Sequence, residues 1–347
     1  MDAVLEDIKF NCDVSDARYW GYFSICGLLM RYRDLFRSEA GLEPWSPIAR
    51  KEIAAWIGSK ESRWTSLEDQ DLRNLTIKGT AYSPFDIDGI NQALDTDGYV
   101  YGAGYGMYLK PTFFLGCARS VAAIEDHTVH TTGQELVRDL FTAPAMLRER
   151  TIFLRLEPLK ALLWDKFTEL RPDRGPALTE AFRAYGITTG QPVSDDFARR
   201  FEQMVLNYSG VLLRHELAES QEAVPQWKEL LTQAGDRNTE HFLRAVKDLV
   251  ADTSDTGPFR SIVETRDRGA LSLSIGLMDG YRRMLFPEVR EAYGRFLEDG
   301  AWEIVENARQ RGNARFIALR HRILELFASG DQRFFRRGIA DMMQNIA

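Results

Sequence analysis

The stretch YVYGAGYGMYLKPTFFLG, Tyr99–Gly116, sets the fold expectation because its composition differs from that of the chain around it. Aromatic residues stand beside closely spaced glycines, which is typical of short strands and tight turns. LTIKGTAY at residues 75–82 and HTVHTTG at residues 127–133 share this character. The sequence therefore predicts a small mixed α/β segment near residues 72–132.

Helix signals dominate outside this segment. SDARYWGYFSICGLLMRYRDLF opens with a Ser15/Asp16 cap and carries apolar residues at roughly helical spacing. Ser46-Pro47 and Ser83-Pro84 each predict a further helix start, and nearly everything from Gln134 onward has a helical pattern. We therefore expect a mainly α protein, a helical bundle with the small mixed α/β segment near residues 72–132.

Turn residues cluster at residues 172–195 and suggest a soft boundary between two modules. The expected modules are an N-terminal helical module at 1–175, which contains the strands and glycines, and an all-helical C-terminal bundle at 190–347. A length of 347 residues exceeds the usual size of one domain and agrees with this division.

Composition narrows the functional classes. With 44 basic and 51 acidic side chains, the net charge of −7 disfavours nucleic acid or anionic lipid as the main partner. Small molecules, protein partners or further copies of the chain are the expected partners. Three separated cysteines without a C-x-x-C motif, and no apolar run of membrane-spanning length, indicate a soluble protein of the reducing cytoplasm.

The stretch VLLRHELAES, residues 211–220, holds the strongest candidate site. A helix from Ser194 to Glu222 places His215, Glu216 and Glu219 on the arc that continues its apolar side. Buried carboxylates without partners are costly, so they pair, neutralise or bind a metal. The alternative is a helix that leaves the core near residue 214, with its charges in solvent.

A second helix, TEHFLRAVKDLVADT, carries His241, Asp248 and Asp252 in one stripe beside an apolar arc. A short connection makes the two helices plausible antiparallel neighbours. Histidine and carboxylate ligands without thiolate suit iron, manganese or zinc. The H-E-x-x-E spacing departs from both the zincin motif and the Glu-x-x-His motif of di-metal bundles. A salt-bridged surface that uses Lys247 and Arg244 is the alternative here.

Three other stretches carry weaker signals. His127 and His130 could complete a metal site or lie in a surface loop, and the glycines of Tyr99–Tyr108 could form a tight turn or the wall of a ligand pocket. Cys12 belongs either to a helix cap or, just before a helix start, to a reactive site with a lowered thiol pKa. Arginines from Arg309 to Arg337 could pair with acidic neighbours, dock a partner or hold phosphate.

The blocks NCDVSDA, YGAGYG with KPTFF, and RHELAE with LVADT resemble those of an uncharacterised bacterial protein family of similar length. The resemblance implies no activity and assigns no catalytic residue.

From the residues, we expect a metal-dependent enzyme, hydrolytic or oxidative. Its expected ligands are His215, Glu219, His241, Asp248 and Asp252, with Glu216 as the candidate catalytic base and a divalent iron, manganese or zinc ion as cofactor. The competing hypothesis is a non-catalytic helical module that binds a small ligand or a protein partner.

Overall fold

In the computed structural model the chain forms two compact units, Met1–Asp165 and Lys166–Ala347. The structure describes residues 1–106, 109–170 and 175–345. Tyr108, which belongs to the glycine-rich segment, and Pro172, in the turn-rich stretch, lie outside the described residues. The division falls before the stretch at 172–195 where the sequence suggests it.

The N-terminal unit is built on β-sheet, so the expectation of a mainly α protein, a helical bundle with only a small mixed α/β segment, was wrong. Its main sheet has five strands in the order β3-β4-β5-β7-β6, and β1 and β2 form a second, two-stranded sheet. The β5/β7 pair is parallel, and the other pairs are antiparallel. The chain is therefore a mixed α/β protein. The strands are β1 Leu75–Ile77, β2 Thr80–Tyr82, β3 Tyr99–Tyr105, β4 Pro111–Ile124, β5 His127–Arg138, β6 Ala145–Arg148 and β7 Thr151–Arg155.

The three quoted strand stretches form β1 to β5, as predicted, but the sheet continues to Arg155, where helix was expected. The glycine-rich stretch is strand β3 and its pairing with β4. Gly102 lies opposite Phe114 in the register, and a Cβ at this glycine would come within 2.1 Å of the Phe114 ring. The glycine makes room for a buried aromatic ring across the strand pair.

Helices α1 Asp2–Tyr19, α2 Ile25–Glu39, α3 Arg50–Leu67 and α4 Ile87–Leu94 belong to this unit, and α5 Leu156–Thr168 follows β7 directly. The helix expected to start at Ser15 and Asp16 is two helices. Ser15 and Asp16 lie near the end of α1, and Ser24 caps α2 by accepting a hydrogen bond from the Gly27 amide.

The polar residues of NCDVSDA are buried because they bond to distant parts of the unit. Lys110 Nζ lies 3.0 Å from Asp16 Oδ1 and 3.5 Å from Asp139 Oδ1. Asp13 accepts hydrogen bonds from Lys60 and Trp64, both at 3.1 Å. Cys12 lies inside α1, and its burial raises the thiol pKa, so the structure does not support a reactive Cys12.

The C-terminal unit is helical, and α9 lies at the centre of its core. Phe242, Val246 and Leu249 of α9 are fully buried, and they form the apolar face that the sequence pattern predicts. The helices are α6 Pro176–Ala184, α7 Asp195–Gln221, α8 Gln226–Thr232, α9 Arg237–Thr253, α10 Pro258–Thr265, α11 Arg268–Leu277, α12 Gly280–Leu285, α13 Pro287–Asp299, α14 Trp302–Ala328 and α15 Gln332–Gln344.

Candidate metal site between two helices

Helix α7 carries the candidate site on its inner side. Ser194 caps the helix by accepting a hydrogen bond from the Phe197 amide, and the helix ends at Gln221. Both ends agree with the predicted span. Met204, Val205 and Tyr208 are buried, which confirms the predicted inner arc. The predicted outer residues are exposed: Asn207, Gly210, Arg214 and Gln221.

Helix α9 packs against α7 in the antiparallel direction. His215 of α7 contacts Asp252, whereas Glu219, one turn later in α7, contacts Lys247, which precedes Asp252 in α9. The pairings therefore run in opposite directions along the two helices. This arrangement brings the charged residues of both helices to one place.

The orientation of His215 is fixed through its Nδ1 atom. This atom lies 2.7 Å from Asp252 Oδ1, and because a carboxylate only accepts, His215 donates. Asp252 Oδ2 accepts a hydrogen bond from Arg282 Nη2 at 2.5 Å. Asp252 thus joins His215 to Arg282. The contact commits Nδ1 of His215 and leaves Nε2 for another partner.

His215 Nε2 faces Glu219, and Asp248 lies close to both residues. The Nε2 atom lies 3.6 Å from Glu219 Oε2, and one donor atom each from His215, Glu219 and Asp248 lie within 4.8 Å of one another. Two donors of one tetrahedral ion at 2.0–2.2 Å are about 3.4 Å apart. The three donors would have to move closer together to bind one ion.

Lys247 lies against the same carboxylates. Its Nζ is 2.5 Å from Glu219 Oε1 and 4.0 Å from Asp248 Oδ1. Burial opposes the charge of Lys247, but these two carboxylates outweigh it and raise the pKa of the ammonium group. The ammonium group is therefore charged at neutral pH beside two of the three donors.

Protonation balances an excess of negative charge in the cluster. Burial opposes the charge of His215, but Asp252 and its hydrogen bond outweigh it and raise the pKa of the ring to about 9. Glu216 is only 8% exposed, and this burial raises its pKa to about 7, with Glu219 and Asp248 adding to the effect. With His215 neutral and every carboxyl ionised, the cluster has two uncompensated negative charges. The charges counted are Glu216, Glu219, Asp248 and Asp252 against Lys247 and Arg282. Arg244, which also acts on Glu219, is offset by its ion pair with Glu240.

His241 is the one predicted ligand that the structure keeps away from the cluster. It precedes Asp248 by seven residues of α9, which is about 10 Å along a helix. The group of converging donors contains His215, Glu219 and Asp248 but not His241. Arg282 lies in α12 and has no spacing relation to α7 or α9, so the sequence pattern does not indicate it. For Lys247 the pattern indicates only a surface salt bridge.

The weaker candidates contribute to other structures. His127 and His130 lie on β5 of the N-terminal unit, and the His130 ring stacks on Phe153 with 5.5 Å between ring centroids. Arg309, Arg315 and Arg320 pair with acidic side chains, as one reading of the arginine-rich segment expects. Within the part of the chain that the structure describes, no helix is both long enough and apolar enough to cross a membrane.

Comparison with protein families places both units in one family. Residues 3–155 match the N-terminal domain, and residues 160–345 the C-terminal domain, of a family of unknown function, DUF6866. The chain belongs to this family, as the resemblance of its sequence blocks indicates. No curated protein and no solved structure matches the chain significantly.

Proposed function

We propose that this member of the DUF6866 family binds one divalent metal ion through His215 Nε2, Glu219 and Asp248. The convergence of these three donors is the observation that carries the proposal. The contact between His215 Nδ1 and Asp252 supports it, because a metal-binding histidine almost always donates its other N–H to a carboxylate or carbonyl. Asp252 then orients the ring instead of binding the ion.

The charge of the cluster also favours a divalent cation. An ion of charge +2 would neutralise the two excess negative charges that remain when His215 loses its proton and every carboxyl, Glu216 included, is ionised. Imidazole and carboxylate donors suit iron, manganese and zinc. The side chains of His215, Glu219 and Asp248 are 17%, 23% and 25% exposed, which gives an ion access from solvent.

Three protein ligands leave coordination positions for water, dioxygen or substrate. A metal in such a site supplies Lewis acidity, which favours hydrolytic or oxidative chemistry on a small molecule. Glu216, buried next to His215, is the group that we assign as general base. The three cysteines are free, which supports a reducing, cytoplasmic location.

The metal content of protein purified without chelator and then supplied with iron, manganese or zinc tests the proposal. The variants His215→Gln, Glu219→Gln and Asp248→Asn each remove one donor. Two matched controls lie on α9 outside the donor set: His241→Gln removes a histidine, and Glu240→Gln removes a carboxylate that pairs with Arg244.

We expect about one equivalent of metal in the parent and in both controls, and a large loss in each of the three donor variants. Equal metal in a donor variant and its control would remove that residue from the site. A parent without metal, even after supply, would leave the cluster as a structural ion-pair network and favour the non-catalytic module that binds a small ligand or a partner.

A further inference from the structure

We infer that Lys247 is an internal competitor for the metal, an inference that rests on the proposed metal site. In the metal-free protein its ammonium group lies beside Glu219 and Asp248 and compensates their charge. When the ion binds, the ammonium group moves away from these carboxylates. Lys247 would then set how tightly the protein holds its metal.

The contacts of Lys247 carry the inference. Its Nζ lies 2.5 Å from Glu219 Oε1 and 4.0 Å from Asp248 Oδ1, so it shares two of the three donor residues with the ion. The Lys247 ammonium group and the metal ion would compete for the same carboxylates, because both are attracted by the same negative charge. A divalent ion in this place would also repel the ammonium group directly.

The side chain of Lys247 has a route away from the site. It is 27% exposed, and a lysine side chain is a flexible stem that carries its charge to solvent readily. Asp252 has a different cation, Arg282, and does not depend on Lys247. Displacement of Lys247 therefore leaves the orientation of His215 intact.

Calorimetric titration with Zn²⁺ and with Mn²⁺ tests this role in the parent, Lys247→Met, Lys247→Arg and Lys228→Met. Lys228 is exposed on α8, so Lys228→Met removes the same charge from the same unit at a different place. We expect Lys247→Met to lower the Kd at least tenfold, because it removes the competitor. Lys247→Arg, which keeps a cation, and Lys228→Met should stay within about threefold of the parent.

A second measurement covers the case in which Lys247→Met does not fold. Lysines of the parent are reductively methylated with ¹³C and followed by NMR, with the Lys247 signal identified by its loss in Lys247→Arg. Zn²⁺ should move this signal toward the position of exposed lysines.

Equal or weaker metal binding by Lys247→Met, or a Lys247 signal that Zn²⁺ does not move, would overturn the inference and make Lys247 a supporting neighbour of Glu219. Absence of binding in both the parent and Lys247→Met would instead overturn the metal site itself.

Discussion

At His215 the two ring nitrogens face different partners, and this asymmetry gives the residue its role. Asp252 accepts a hydrogen bond from Nδ1–H, while Nε2 lies near Glu219. The same contacts that would orient a metal ligand also stabilise a positive charge on the ring when no metal is present. In the proposed site, a proton and a metal ion would therefore compete for His215.

The raised pKa of His215 predicts how the stability of the metal-free protein depends on pH. A folded-state pKa of about 9, above the ordinary 6.5, means that the protonated ring stabilises the fold fully below pH 6.5. This contribution, on the order of 3 kcal/mol at most, is lost as the pH rises from 6.5 through 9.

Urea unfolding in chelator, between pH 6 and 10, compares the parent with His215→Gln. A second pair of proteins carries Glu216→Gln, because the Glu216 carboxyl titrates in an overlapping range. Since Glu216 contributes to the raised pKa of His215, the loss should begin at a lower pH in this pair. The protein with His215 should have the larger free energy of unfolding at pH 6, and this difference from the His215→Gln protein should shrink as the pH rises to 10. A constant difference between the two proteins would contradict the raised pKa.

Helical periodicity was enough to select His215, Glu216, Glu219, Asp248 and Asp252, because side chains at i, i+3, i+4 and i+7 share a helix face. Periodicity alone could not exclude His241 from the site. His241 lies on the same helix stripe as Asp248 and Asp252, but too far along the helix axis to reach the cluster. Partners that lie outside α7 and α9, such as Arg282 of α12, are brought to the cluster by tertiary packing. The spacing of residues within one helix does not encode that packing.

At the scale of secondary-structure elements, the C-terminal end of α9, which carries Asp252, is in close backbone contact with the loop that follows it. The contact is made by Gly257. A Cβ at Gly257 would lie 2.1 Å from the Ala251 carbonyl oxygen, whereas a Cβ at Gly210 of α7 meets nothing within 4 Å. Gly257→Ala should therefore destabilise the protein by about 1–3 kcal/mol or more.

Gly210→Ala is the matched substitution, and it should stabilise the protein by about 0.5–1 kcal/mol, because alanine favours a helix interior over glycine. Urea unfolding measures both changes. Equal effects of the two substitutions, or a stable Gly257→Ala protein, would show that the contact after α9 is not tight.

Helices α7 and α1 differ in how much of their extent local sequence encodes. Helix α7 was predicted to within one residue at each end, because Ser194 is a local capping signal and the apolar arc is long. Helix α1 was missed because Ser15 and Asp16 imitate a cap. Their true partners include Lys110 and the Leu140 amide, about a hundred residues away in the chain.

For the whole molecule, the error in fold class came from β6 and β7. These strands, at Ala145–Arg148 and Thr151–Arg155, are short and directly precede α5, so their residues do not show a long alternating pattern. Strand β7 pairs in parallel with β5. Parallel strands are not joined by a tight hairpin turn, so the sequence carries no turn signal that would predict this pairing.

The proposed metal site involves residues of the C-terminal unit alone. Its donors come from α7 and α9, and Arg282, which fixes Asp252, comes from α12. The central claim for the molecule is therefore that one ion joins α7 to α9 at His215, Glu219 and Asp248.

Anomalous diffraction from crystals grown with Zn²⁺, recorded above and below the zinc absorption edge, tests this claim most directly. We expect one strong anomalous peak about 2.0–2.2 Å from His215 Nε2 and from one oxygen each of Glu219 and Asp248, with Lys247 Nζ moved away from Glu219. Absence of a peak there, with Lys247 still on Glu219, would contradict the claim.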